Sequence, residues 1–110
     1  MSYDFYMQYV EGRDIDESWR NITFNLRDMF VALFEKTDCG WDDLTDGLYK
    51  TDDALGCFQK ALDDLREHRE EYKQYDAPNR WGTTEGAEMF LEDMIEHCLT
   101  FPGAWIVCYK

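Results

Sequence analysis

The sequence predicts a single α+β domain spanning residues 1–110, in which a small sheet including the N- and C-terminal strands packs against about three helices. Three observations point there. The first ten residues alternate like a half-buried strand, and the chain closes on a continuous apolar run. Between them, two long stretches repeat their apolar residues at helical spacing. Hydrophobic residues make up 45% of the chain and aromatics 16%, which suffices for one packed core and lies far from the composition of a disordered chain.

Residues 2–10 read as a strand because Tyr3, Phe5, Met7 and Tyr9 alternate with Asp4, Tyr6 and Gln8. Residues 12–17 form a polar, acidic connection. Trp19 to Leu26 carries Thr and aromatic residues in an alternation that suits a strand and equally an irregular bridge. Asp28 is placed to cap a short helix over MFVALFEK, which is apolar nearly all round and therefore expected to be buried. The segment 37–50 reads as a loop, with Gly40, Gly47 and the aspartates 38, 42, 43 and 46. Thr51 or Asp52 then starts the longest helix, reaching about Tyr75, with Leu55, Phe58, Leu62, Leu65 and Tyr72 along its inner stripe. Asp76-Ala77-Pro78-Asn79 stops it and Trp81-Gly82 turns the chain. Thr83 or Thr84 caps a last helix to about Thr100, whose inner face is Ala87, Phe90, Leu91, Met94, Ile95 and Cys98. Pro102-Gly103 breaks that helix, and AWIVCY reads as a strand covered on both faces or lying centrally.

The formal charge is −13, from 24 acids against 11 bases. Such a surface repels phosphates, which excludes direct nucleic-acid binding and favours a basic partner. The N-terminus lacks the basic and apolar regions of a secretory signal, and no apolar run approaches the ~20 residues that span a bilayer. A cytoplasmic setting with reduced thiols follows for Cys39, Cys57, Cys98 and Cys108, whose spacing contains no CxxC pair.

The acids concentrate in two places. On the last helix, Glu85, Glu88, Glu92 and Glu96 fall within about 80° of arc opposite the apolar face, a line roughly 16 Å long. No Lys or Arg occurs between Arg80 and Lys110. The second concentration runs from Asp38 through Asp42, Asp43 and Asp46 to Asp52 and Asp53. Both read either as solvated acidic surface or as a docking surface for a basic partner.

Other constellations are weaker. Aligned to a calcium loop from Asp42, the sequence places Leu44 where a ligand belongs and Asp53 where Glu is required. Asp64/His68 and Asp93/His97 have the i,i+4 spacing of metal ligands, yet flank the apolar stripes and suit ordinary helix-surface pairs. His97 and Cys98 are adjacent on a helix and diverge by ~100°, so they form no nucleophile–base pair. No catalytic residue, metal or cofactor is assigned. Asn21, Asn25, Trp81 and Glu85 remain as the polar groups of an alternative, a small enzyme or ligand-binding protein with a pocket among them.

The opening Met-Ser-Tyr-Asp, the segment Asn21-Ile22-Thr23-Phe24-Asn25 followed by Met29-Phe30, and Trp81-Gly82-Thr83-Thr84-Glu85-Gly86-Ala87 together resemble a loose family of small proteins from bacteriophages and their bacterial hosts. The similarity covers most of the chain in order and spacing. Its 37–50 loop and last helix are more acidic than the family pattern. The resemblance implies a phage or mobile-element setting within a bacterial host cell. With the acidity, it leads to the expectation of a non-enzymatic inhibitor occluding a basic, nucleic-acid-binding surface of a host or defence protein, with carboxylates standing in for phosphates. An immunity-type protein neutralising a cationic toxin is the same chemistry with another partner.

Overall fold

The computed structural model describes residues 2–77 and 82–110. Strand β1 (Ser2–Gln8) lies in the middle of a three-stranded antiparallel sheet, between β2 (Ile15–Thr23) and β3 (Trp105–Tyr109). Alternation along β1 buries Tyr3, Phe5 and Met7 and turns Asp4 and Tyr6 to the other face. Tyr3 sits opposite Ile22 of β2, and Met7 opposite Ile106 of β3, so the buried face continues across all three strands.

The β1–β2 register slips between Phe5 and Met7, leaving a bulge. There the Met7 N–H donates to Ser18 Oγ at 2.7 Å, and the Ser18 hydroxyl donates to the Ile15 carbonyl at 2.6 Å. A fully buried side chain thus supplies the acceptor that the interrupted ladder does not.

The helices are α1 (Arg27–Phe34), α2 (Trp41–Thr45), α3 (Thr51–Glu67), α4 (Arg69–Tyr72) and α5 (Thr84–Thr100). Ring contacts tie them to the buried face of the sheet. Trp41 meets Tyr3 edge-on at 5.3 Å, Phe5 at 5.7 Å, and stacks on Phe30 at 4.5 Å. Phe5 also meets Phe90 of α5 at 5.5 Å, and Phe34 of α1 meets Phe58 of α3 at 5.6 Å. Among the described residues, no helix is long and apolar enough to cross a membrane.

Helix starts are fixed by polar side chains. Thr83 Oγ1 accepts the Gly86 N–H at 3.1 Å, and Asp76 accepts the Thr84 N–H at 2.7 Å, so two oxygens serve the first turn of α5. At α3, the Thr51 N–H donates to the Ala104 carbonyl (2.8 Å) and its hydroxyl to the Phe101 carbonyl (2.7 Å), while Asp52 accepts the Gly103 N–H (3.1 Å). The turn before β3, where Gly103 has φ +75°, is thereby fastened to the start of α3.

The α+β class and the pairing of terminal strands agree with the sequence, and several details differ. The apolar run at the C-terminus is an edge strand, because β1 takes the central place. Its outer edge is partly covered by Lys50, bridged to Trp105, and by the Tyr49 carbonyl, which accepts the Ile106 N–H at 3.0 Å. Strand β2 begins at Ile15, inside the expected connection, because Ile15 reaches Met7 across the bulge. The 37–50 segment holds a helical turn, α2, organised around buried Trp41. Asp28 lies within the first turn of α1 rather than capping it. The long helix breaks at His68 (φ −121°, ψ 36°), and α4 and a 3-10 turn carry the chain on to Tyr75. The expected turn at Pro78, Asn79 and Trp81 lies outside the described residues.

Replacing Ser18 by Ala leaves the buried Met7 N–H without its acceptor. The expected loss is about 1–3 kcal/mol of unfolding free energy, read from urea denaturation as a lowered midpoint with an unchanged slope.

Candidate functional site

The four glutamates of α5 do not share one environment. Glu85 is exposed in the first turn, and Glu96 is exposed near the last. Glu88 turns toward α3, where it accepts from Arg66 Nε at 2.8 Å and from Arg69 Nη2 at 2.6 Å, with its side chain only 20% exposed. Glu92 lies 3.4 Å from Arg66 Nη2. Arg66 and Arg69 come from the neighbouring helix and its continuation, so they offset the like-charge cost that the stripe carries in isolation. The hydrogen bonds from Arg66 and Arg69 hold the Glu88 carboxyl below the usual glutamate range.

The aspartates at 42–53 are likewise divided. Asp42 accepts from Arg27 Nη2 through both oxygens (3.1 and 3.0 Å), Asp46 accepts from Lys110 Nζ at 2.9 Å, and Asp52 is held by the Gly103 N–H. Asp43 and Asp53 are exposed, and neither has an ion-pair partner among the described residues. Among the described residues, no group of three or more His, Cys, Asp or Glu side chains is arranged to hold a metal ion.

The two Asp/His pairs have separate fates. Asp64 and His68 do meet, at 2.9 Å, within a cluster that adds Lys36 Nζ at 3.2 Å and the Tyr72 hydroxyl. Burial works against the Asp64 charge, but the hydrogen bonds from Tyr72, Lys36 and His68 outweigh it and set the carboxyl below its ordinary value. The Asp64 contact raises His68 in turn. This cluster ties the turn after α1, at Lys36, to the break between α3 and α4. Asp93 instead accepts from Arg20 Nε of β2 at 2.7 Å, and the Arg20 guanidinium lies 5.6 Å from the centre of the Phe90 ring. His97 is left with a buried Nδ1 that has no hydrogen-bond partner among the described residues, and burial lowers its pKa.

Of the polar group proposed for a pocket, Asn21 is committed to the sheet: its Nδ2 donates to Ser2 Oγ (2.8 Å), Asp4 Oδ1 (2.9 Å) and the Tyr3 carbonyl (3.2 Å). Asn25 lies in a 3-10 turn beside Gly82, where an added Cβ would approach Asn25 Cβ to 3.2 Å and Leu26 Cγ to 3.1 Å. Glu85 is exposed on α5, and Trp81 lies outside the described residues.

Three of the four thiols are poor nucleophiles. Burial pushes Cys39, Cys98 and Cys108 each up to about 12. Sequence reasoning passed over one feature entirely, the aromatic residues on the outward face of the sheet: Tyr6, Trp19, Trp105 and Tyr109. Their signal was present in β1, where Tyr6 breaks the polar side of the alternation. No family model, curated protein or solved structure matches this chain.

Because the Glu88 pKa is depressed in the folded protein, the stabilisation it contributes is complete above its unfolded value of roughly 4.3 and disappears as pH falls through the lower folded value. Glu88→Gln therefore lowers stability at neutral pH by about 1 kcal/mol or less, and the gap to the parent closes as the pH drops below roughly 4. Urea titrations across that range check it. The protonated thiols predict that Cys39, Cys98 and Cys108 react slowly with an aromatic disulfide reagent at neutral pH, and rapidly once urea unfolds the chain.

Proposed function

We propose that the protein is a small, acidic, non-enzymatic binding protein that occludes a basic, nucleic-acid-binding surface of a host or defence protein, in a phage or mobile-element setting. The observation that carries this reading is the charge left after the internal ion pairs are formed. Arginines and lysines of the chain are drawn onto Glu88, Glu92, Asp93, Asp42, Asp46 and Asp64, while Glu85, Glu96, Asp43 and Asp53 stay exposed without a cationic partner among the described residues. With a net charge of −13 behind them, these carboxylates attract a cationic surface over a Debye length of about 8–10 Å. Burial raises the pKa of Cys39, Cys98 and Cys108, which argues against those three as nucleophiles.

In this mechanism the exposed acids steer encounter, so association is fast and weakens steeply with salt. Glu88 belongs to the α3–α5 contact and is spared in any test of the stripe. Immobilised protein is expected to retain a basic nucleic-acid-binding protein from a bacterial lysate at low salt and release it as salt rises. Glu85→Gln, Glu96→Gln, Asp43→Asn and Asp53→Asn together are expected to slow association with that protein about tenfold, with the urea midpoint unchanged. Retention that ignores both salt and these substitutions would refute charge-steered binding.

A further inference from the structure

An antiparallel sheet with helices on one side ordinarily presents a polar face to water. Here that face carries Tyr6 from β1, Trp19 from β2, and Trp105, Val107 and Tyr109 from β3. Trp19, Trp105 and Tyr109 are 50%, 42% and 49% exposed. The Tyr6 and Tyr109 rings stand edge to face at 5.9 Å. A shallow cleft of about 390 Å³ opens beside Trp105 and Val107, bounded by Tyr9 and Glu11.

Two carboxylates lie among these rings, and both are oriented by neutral donors. Asp4 Oδ1 accepts from Trp19 Nε1 at 3.1 Å and from Asn21 Nδ2 at 2.9 Å. Asp14 Oδ1 accepts from Gln8 Nε2 at 2.7 Å and from the Tyr109 hydroxyl at 3.0 Å. Neither has a cationic partner among the described residues. An oriented carboxylate beside exposed ring faces is the combination that recognises a guanidinium, which stacks on the ring through its plane and bonds the carboxylate through its edge. The chain uses part of this chemistry itself, for Lys50 Nζ lies 5.1 Å from the centre of the Trp105 ring.

Charge selects the occupant. Exposed aromatic rings on a sheet also suit stacked bases, but Asp4, Asp14 and Glu11 repel a phosphate backbone. A second copy would bring the same surplus of acids to the contact.

We propose that the outer face of the sheet, through Tyr6, Trp19, Trp105 and Tyr109 together with Asp4 and Asp14, is a docking surface for an arginine-bearing segment of a partner protein. The proposal rests on the acidic-binder reading and supplies the surface and the partner chemistry. In it the exposed acids of α5 set the rate of encounter, and the sheet face sets the rate of release.

An arginine nonapeptide and a lysine nonapeptide, titrated into the full chain at low salt, separate the two levels. Indole fluorescence and amide chemical shifts report where each binds. The arginine peptide is expected to bind about tenfold more tightly than the lysine peptide and to shift the Trp19 and Trp105 side chains. Trp19→Ala, or Asp4→Asn with Asp14→Asn, is expected to remove that preference while far-UV circular dichroism stays unchanged. Glu85→Gln with Glu96→Gln should weaken both peptides alike. Equal affinity for the two peptides, with shifts centred on α5, would overturn the docking face and leave the acidic-binder reading standing. No binding of either peptide would overturn both. Tighter binding of a single-stranded thymidine oligonucleotide than of the arginine peptide would also overturn the proposal.

Discussion

The architecture depends on the burial of Trp41. Its ring touches Tyr3 and Phe5 of the central strand, Phe30 and Phe34 of α1, and Phe90 of α5, so one side chain joins the sheet to two helices. The indole Nε1 is buried and has no hydrogen-bond partner among the described residues, which costs about 1–3 kcal/mol. A buried indole removes 150–250 Å² from water, and at ~25 cal/mol per Å² that contributes roughly 4–6 kcal/mol. Packing wins over the orphaned donor. The acidic segment around Trp41 consequently folds into the α2 turn against the core, although its aspartates by themselves favour a solvated loop.

The parts of the fold legible in the sequence are those set by local pattern. Alternation at Tyr3, Phe5 and Met7 defined the inner face of β1, and helical spacing of Phe58, Leu62 and Leu65 defined that of α3, with Leu55 only partly buried at its margin. What local pattern cannot hold is strand order. An apolar run such as Trp105–Tyr109 suits a central strand, yet here it is an edge whose inner residue Ile106 fills the core while Trp105 and Tyr109 face water. The start of β2 was hidden for a related reason. Ile15 sits among acids and pairs with Met7 only because a bulge, stabilised by Ser18, brings it into register.

The candidate site was legible as charge and illegible as geometry. Spacing alone aligned Glu85, Glu88, Glu92 and Glu96, but nothing local reveals that Arg66 and Arg69 lie against Glu88 from the adjoining helix. The Asp/His pairs make the same point in opposite directions. Asp64 meets His68 at the predicted spacing, whereas Asp93 is taken by Arg20, seventy-three positions away in sequence. Cross-chain partners decide which acids are internal ties and which remain available, and such partners are set by packing.

A carboxylate's surroundings matter more to recognition than its count. When an arginine neutralises an acid, as at Glu88, the pair stabilises the fold modestly and offers little net field to an incoming cation. When an indole, an amide or a phenol holds the acid, as at Asp4 and Asp14, orientation is fixed but the charge is retained. Binding a cation there requires less ordering of the site, so more of the interaction appears as affinity. The rings beside those acids contribute attraction that salt screens less than it screens the exposed glutamates of α5. In the proposed binding, the steep, salt-dependent part of the association therefore belongs to the helix side, and the part that persists as salt rises belongs to the sheet.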